Sequence, residues 1–133
     1  MKKVKKILII DDDATTAFLH QRLLQCMDVA EEIEYITDPQ QALEYLQNNR
    51  SSAADLIFLD VEMPQMDGFQ FLDKLEAGGV PLKDVSIVMH TASMSPEHKK
   101  KAETLYSEKL KGFVQKPLRP ECIKEAISRV KSA

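Results

Sequence analysis

Four places in this chain carry residue types that can do chemistry together, and each follows a short apolar run. Asp11-Asp12-Asp13 follows Ile7-Leu8-Ile9-Ile10, Asp60 follows Leu56-Ile57-Phe58-Leu59, His90-Thr91 follows a run ending at Met89, and Lys116 stands just past Phe113-Val114-Gln115. Taken singly, each is weak: an Asp after a strand is more often a turn or helix cap than a ligand. Taken together, they describe clustered carboxylates with one hydroxyl and one ammonium. Clustered carboxylates raise one another's pKa unless a cation offsets them. Mg²⁺ suits such a cluster, because it takes oxygen ligands, keeps several waters, and is held by one or two carboxylates plus a phosphate oxygen. A carboxylate beside Mg²⁺, a Lys and a Thr hydroxyl is a phosphoryl-transfer arrangement, where catalysis is mostly positioning and charge neutralisation. No Cys/His cluster has zinc spacing, and no GxxxxGK[ST] or GxGxxG loop points to a nucleotide.

These residues meet only if the runs before them are strands of one sheet with the same polarity. The runs at 7–10, 33–36 (interrupted by Glu34), 56–59, 85–89 and 113–114 have the length and the Ile, Val and Leu content of buried strands. Between them lie helical patterns. Leu19, Leu23 and Met27 recur every four residues, with Phe18 and Leu24 widening the stripe. Asp38-Pro39 reads as an N-cap with Pro at the first helical position, and Gln41 stands where a capping box needs it, ahead of Ala42, Leu43 and Leu46. Gly68 opens a stretch carrying Phe71, Leu72 and Leu75, which Gly78-Gly79 and Pro81 end. Ser95-Pro96 starts another, and Ile123, Ala126, Ile127 and Val130 form an amphipathic stripe in the last. Alternating strands and helices predict an α/β fold: a doubly wound, five-stranded parallel sheet of flavodoxin-like type, strand order 2-1-3-4-5, with ligands at the carboxyl ends of the strands.

Composition bounds the function classes. A length of 133 residues fits one domain. With 18 Lys and Arg against 21 Asp and Glu, the net charge of −3 lacks the footprint of a nucleic-acid binder. No apolar run approaches the ~20 residues of a membrane span, and the Lys-rich start runs into Asp11 too soon for a secretion signal. A cytoplasmic protein with two reduced thiols, Cys26 and Cys122, is expected.

The motifs together make the chain resemble a response-regulator receiver domain, the CheY-like family of two-component signalling. They are Ile-Leu-Ile-Ile-Asp-Asp-Asp at 7–13, Leu-Ile-Phe-Leu-Asp-Val-Glu-Met-Pro-Gln-Met-Asp-Gly at 56–68, His-Thr-Ala at 90–92 and Gly-Phe-Val-Gln-Lys-Pro at 112–117. The resemblance implies Asp60 as phosphoryl acceptor and Mg²⁺ held by Asp11, Asp12, Asp60 and the backbone carbonyl of Glu62, with Asp12 the more direct ligand. It implies that Thr91 hydrogen-bonds the phosphoryl group and that Lys116 pairs with it. It also implies a cis bond at Lys116-Pro117, a small switch neighbour at Ala92 and a switch aromatic at Phe113. For Phe113 a static core aromatic is the equal alternative, and Asp13 reads as a helix-start charge rather than a ligand.

The resemblance spans about 4–130, so a stand-alone receiver, residues 1–133, is expected. It would take its phosphoryl group from a histidine kinase or phosphotransfer protein and signal through a helix 4–strand 5–helix 5 face. It would work as a monomer or a phosphorylation-dependent dimer, without nucleic acid or membrane, and would turn over no free substrate. Two alternatives stand beside it: a degenerate receiver that binds constitutively, and an aspartyl phosphatase with Glu62 as general acid. Glu62 and Ser93 sit at positions where the family varies. The basic run His98-Lys99-Lys100-Lys101, with Lys109 and Lys111, reads as a solvated face. His20, His90 and His98 show no helical metal-site spacing and read as structural or exposed.

Overall fold

Short apolar runs bury best as central strands, and five of them line up here. The computed structural model describes residues 3–48, 54–80, 85–93, 95–105 and 110–130. Among these, strands and helices alternate: β1 Val4–Ile10, α1 Ala14–Met27, β2 Ala30–Ile36, α2 Pro39–Asn48, β3 Leu56–Asp60, α3 Gly68–Ala77, β4 Ser86–Thr91, α4 Pro96–Leu105, β5 Gly112–Gln115 and α5 Pro120–Ser128. The sheet is parallel in the order β2-β1-β3-β4-β5, as expected. Pro81 and Lys109, singled out above, lie outside the described residues.

Strand alternation divides the core in two. Leu8, Ile10, Ile57, Leu59, Ile87 and Met89 face α2 and α3, where Leu43, Leu46, Phe71 and Leu72 meet them. Ile7, Ile9, Leu56, Phe58 and Val88 face α1 and α5, against Ala17, Leu24, Ile123 and Ile127. Register then sets the strand ends level: Ile10 pairs with Leu59, Asp60 with His90, and Thr91 with Gln115. The functional groups therefore leave the sheet along one edge.

Two strands start earlier than the apolar runs do. β1 includes Lys5 and Lys6, and Lys6 Nζ bridges Glu32 and Glu34 of β2 at 3.2 and 3.1 Å. β2 begins at Ala30 and is an edge strand whose Glu residues face outward, which blunts the edge and hides its length from a search for apolar runs. The stripe expected on α1 is corrected in part: Leu24 is buried and Leu23 and Met27 pack half-buried against the same core, but two of its members do not turn inward. Phe18 and Leu19 are 47% and 59% exposed, whereas Ala17, His20 and Leu24 are the buried face. Small Ala17 lets the helix approach the sheet, and the i, i+3, i+7 row it begins wins the inward position. Val130 is buried but lies beyond the end of α5.

Capping follows local chemistry. Asp13 caps α1, Asp38 Oδ1 accepts from Gln40 N–H at 2.9 Å at the start of α2, and Ser95 Oγ accepts from His98 N–H at 3.2 Å at α4. Asp67 and Gln70 form a reciprocal capping box at α3, readable as D-x-x-Q but not anticipated. On α4, Lys99, Lys100 and Lys101 are exposed, and Lys101 Nζ lies 5.5 Å from the centre of the Phe69 ring. Cys26 and Cys122 are both free thiols.

Candidate functional site

The carboxyl ends of β1 and β3 place Asp11 and Asp60 side by side, both buried, with exposed Asp12 at their rim. Each of the three can present a carboxylate oxygen within 4.8 Å of the others. Lys116, just past β5, reaches between the buried pair: its Nζ is 2.8 Å from Asp11 Oδ2 and 3.2 Å from Asp60 Oδ2. Backbone contacts hold these groups in place. Asp13 N–H donates to Asp11 Oδ1 at 2.9 Å, Glu62 N–H to Asp60 Oδ1 at 3.3 Å, and Lys116 N–H to the Thr91 carbonyl at 2.7 Å. The Lys116-Pro117 bond is cis.

Gly68 is required by the same packing. A Cβ there would sit 2.8 Å from the Asp60 carbonyl oxygen and 3.2 Å from Val61 Cα, and its N–H donates to the Val61 carbonyl at 2.8 Å. The loop from Asp60 to Gly68 therefore closes tightly against the end of β3.

Electrostatics follow from burial. The Asp60 carboxyl is pushed up to about 7 by burial first and the Asp11 charge second, with Lys116 opposing. Lys116 feels the reverse balance: burial pulls its ammonium down, but its contacts with Asp11 and Asp60 outweigh that and raise it. Asp13 is held low, chiefly by the Thr16 hydroxyl and backbone N–H, in keeping with a cap rather than a pocket group. Burial lowers His20 and, further, His90, so both rings are neutral near pH 7.

Thr91 is buried, and its hydroxyl donates towards Glu62 Oε1 at 3.1 Å and the Ser93 carbonyl at 2.9 Å, while Ser93 N–H donates to it at 3.1 Å. The Glu62 side chain, which a phosphatase would need as general acid, is thus turned onto Thr91. Phe113 is half-buried against the α2–α3 core. The donor set is all oxygen with one ammonium, which fits a hard divalent cation such as Mg²⁺ better than zinc.

Comparison with known proteins fits this geometry. Residues 7–128 match the family described as Response regulator receiver domain. The chain belongs to that family. Its fold resembles a two-component response regulator from Cytophaga hutchinsonii, with TM-score 0.87 and 24% identity over 96% of this chain and 97% of that one. It is similar to the chemotaxis protein CheY4 of Vibrio cholerae, with TM-score 0.68 and 28% identity over 96% of this chain and 99% of that one. Among curated relatives, the probable methanogenesis regulatory protein FilR2 of Methanothrix harundinacea is 27% identical over 94% of this chain and 80% of its own length. Hybrid signal transduction histidine kinase L of Dictyostelium discoideum is 29% identical over 96% of this chain, which spans only 7% of that protein. The chain is thus a receiver domain of two-component signalling, a family of signalling switches. Among the described residues no helix is long and apolar enough to cross a membrane.

The receiver motifs account for Asp11, Asp12, Asp60, Thr91 and Lys116, all at one edge. They assign no role to His90, which stands first in the 90–92 motif, or to His20, which lies outside all four motifs. Both are buried, with ring centroids 5.5 Å apart, directly behind Asp11. A signal existed for each: His90 shares strand parity with inward-facing Val88, and His20 lies i+3 from Ala17 on the buried row of α1.

Proposed function

We propose that this receiver accepts a phosphoryl group on Asp60 from a phosphohistidine of a histidine kinase or phosphotransfer protein. The observation that carries the reading is the buried Asp11–Lys116–Asp60 arrangement with Asp12 at its rim. Asp11, Asp12, Asp60 and the Glu62 carbonyl would hold Mg²⁺. When bound, that ion neutralises charge on the phosphoryl oxygens.

An ionised Asp60 oxygen attacks phosphorus, the P–O bond forms as the N–P bond breaks, and the imidazole nitrogen keeps the electron pair and takes a proton. Lys116 Nζ, fixed between the two buried carboxylates, is placed to pair with the new dianion. The Thr91 hydroxyl can donate to that dianion once it leaves Glu62. Its inward movement would open space for Phe113 beside Ala92 and shift the population of the face formed by α4, β5 and α5, through which a partner protein reads the state. The receiver would act in the cytoplasm, monomeric or dimerising on phosphorylation, with no nucleic acid, membrane or free substrate of its own.

Incubation with Mg²⁺ and a small acyl-phosphate donor, followed by intact-mass measurement, tests this. Wild type should gain one phosphoryl mass and Asp60→Asn none. A wild type that stays unmodified, or a variant that gains equally, defeats the reading.

A further inference from the structure

Behind the acidic edge lies a polar cluster that phosphoryl transfer leaves without a role. Asp11, His20 and His90 are 0%, 4% and 0% exposed, and each can present an atom within 4.8 Å of the other two. The two rings meet edge to face at 67°. Four buried atoms there make no protein hydrogen bond: Asp11 Oδ2, His20 Nδ1 and both ring nitrogens of His90. Of these, Asp11 Oδ2 has the Lys116 ammonium as ion partner, and His90 faces the Phe58 carbonyl without closing a hydrogen bond of good geometry. Buried polar atoms in native proteins are almost always satisfied, by protein or by ordered water.

The tautomer of His20 decides what can satisfy them. Leu118 N–H donates to His20 Nε2 at 3.3 Å. A nitrogen that accepts a hydrogen bond carries no proton, so the neutral ring bears its proton on Nδ1. His20 Nδ1 is therefore a buried donor, and Asp11 Oδ2 a buried acceptor, neither with a protein hydrogen bond. A protonated Nδ1 cannot ligate a metal, so His20 does not offer this cluster a metal-binding nitrogen there. A water making two hydrogen bonds of ordinary length holds its partners about 4.6 Å apart, inside the 4.8 Å that bounds the spacing here. It needs two to four polar partners, and Asp11, His20 and His90 supply three.

We propose that Asp11, His20 and His90 enclose one buried water, and that through it His20 is a positioning residue for Asp11. His20 then links the acidic edge to the start of the segment after Lys116, because the same ring receives the Leu118 N–H. The network stands on hydrogen-bond geometry alone. Its consequence for Mg²⁺ rests on the proposed function, since it supposes that Asp11 helps to hold the ion. Outer-shell partners of ligating carboxylates are worth on the order of tenfold in metal affinity.

Nitrogen-15 NMR of the histidine rings in the whole chain near pH 7 should show His20 as the Nδ1–H tautomer. A crystal structure should show density for a water between the three side chains. Calorimetric Mg²⁺ titration should find His20→Leu weakened about tenfold, and His20→Gln, which keeps one acceptor and one donor, within about twofold of wild type. An Nε2–H tautomer, an empty or zinc-binding cluster in crystals grown with zinc, or equal Mg²⁺ affinity in wild type and His20→Leu overturns the proposal. If His20→Leu fails to fold, the tautomer and the Gln variant still decide it. A wild type that binds no Mg²⁺ overturns the receiver mechanism and the positioning role together, while the tautomer separately decides the buried network.

Discussion

Replacing Asp60 by Asn should stabilise the metal-free protein, by an amount that grows with pH. Burial and the Asp11 charge lift the Asp60 carboxyl from 3.8 to about 7, and Lys116 pulls it back only in part. The folded protein therefore keeps a proton that the unfolded chain releases near its ordinary carboxylate range. A folded pKa raised in this way leaves stability intact below the unfolded value and removes it progressively as pH climbs towards the folded one. Each unit is worth about 1.4 kcal/mol, so the climb from near pH 5 to near pH 7 bounds the loss at about 3 kcal/mol. Asn keeps the shape of the protonated acid but gives up the 3.2 Å contact with Lys116 as an ion pair. Part of that bound, on the order of 1–2 kcal/mol, is the expected net gain, equivalent to roughly 4–7 °C in Tm. Urea unfolding of wild type and Asp60→Asn, with chelator, near pH 5 and near pH 7.5 measures it. The gap should widen with pH, and Mg²⁺ should close it by stabilising wild type. A variant less stable than wild type at the higher pH, or a gap independent of pH, would refute the electrostatic account of this pocket.

Three further substitutions probe separate links. Gly68→Ala drives a Cβ into backbone on two sides, at 2.8 and 3.2 Å; it should cost about 2 kcal/mol in urea unfolding and weaken Mg²⁺ binding, because the loop after Asp60 must move. Asp13→Ala removes a side chain that accepts from Thr15 N–H at 3.0 Å and from the Thr16 N–H and hydroxyl. It should lower the urea midpoint slightly and leave Mg²⁺ affinity unchanged, and a several-fold loss of Mg²⁺ binding would make Asp13 a ligand after all. Glu62→Gln keeps an acceptor for the Thr91 hydroxyl but removes the charge beside it. Phosphorylation by a small acyl phosphate, followed by intact mass, should then run about fivefold faster, as expected for removing one exposed like charge near a dianion.

Much of this protein was legible residue by residue because the determining physics is local. Ile7 to Ile10 and Leu56 to Leu59 read as buried strands because a fully covered parallel sheet needs continuous apolar runs. Asp13 and Ser95 read as helix starts because a short side chain caps its own helix. The motifs around Asp11, Asp60, Thr91 and Lys116 were enough to name the family, which the match over residues 7–128 supports. Reading failed where neighbours compete for position. Phe18 and Leu19 are as apolar as Leu24, yet only contact with the sheet decides which row of α1 turns inward.

The sequence by itself determined the order of elements, the parallel sheet and the residues gathered at its carboxyl edge, since periodicity, caps and motif spacing depend on near neighbours. Only the tertiary structure decided that Lys116 lies between Asp11 and Asp60, that Glu62 engages Thr91, and that His20 meets His90 edge to face behind the acids. Those facts, and the raised pKa of Asp60, are set by distances of a few ångströms between residues far apart in the chain. Such distances follow from how the helices settle on the sheet, which no local pattern encodes.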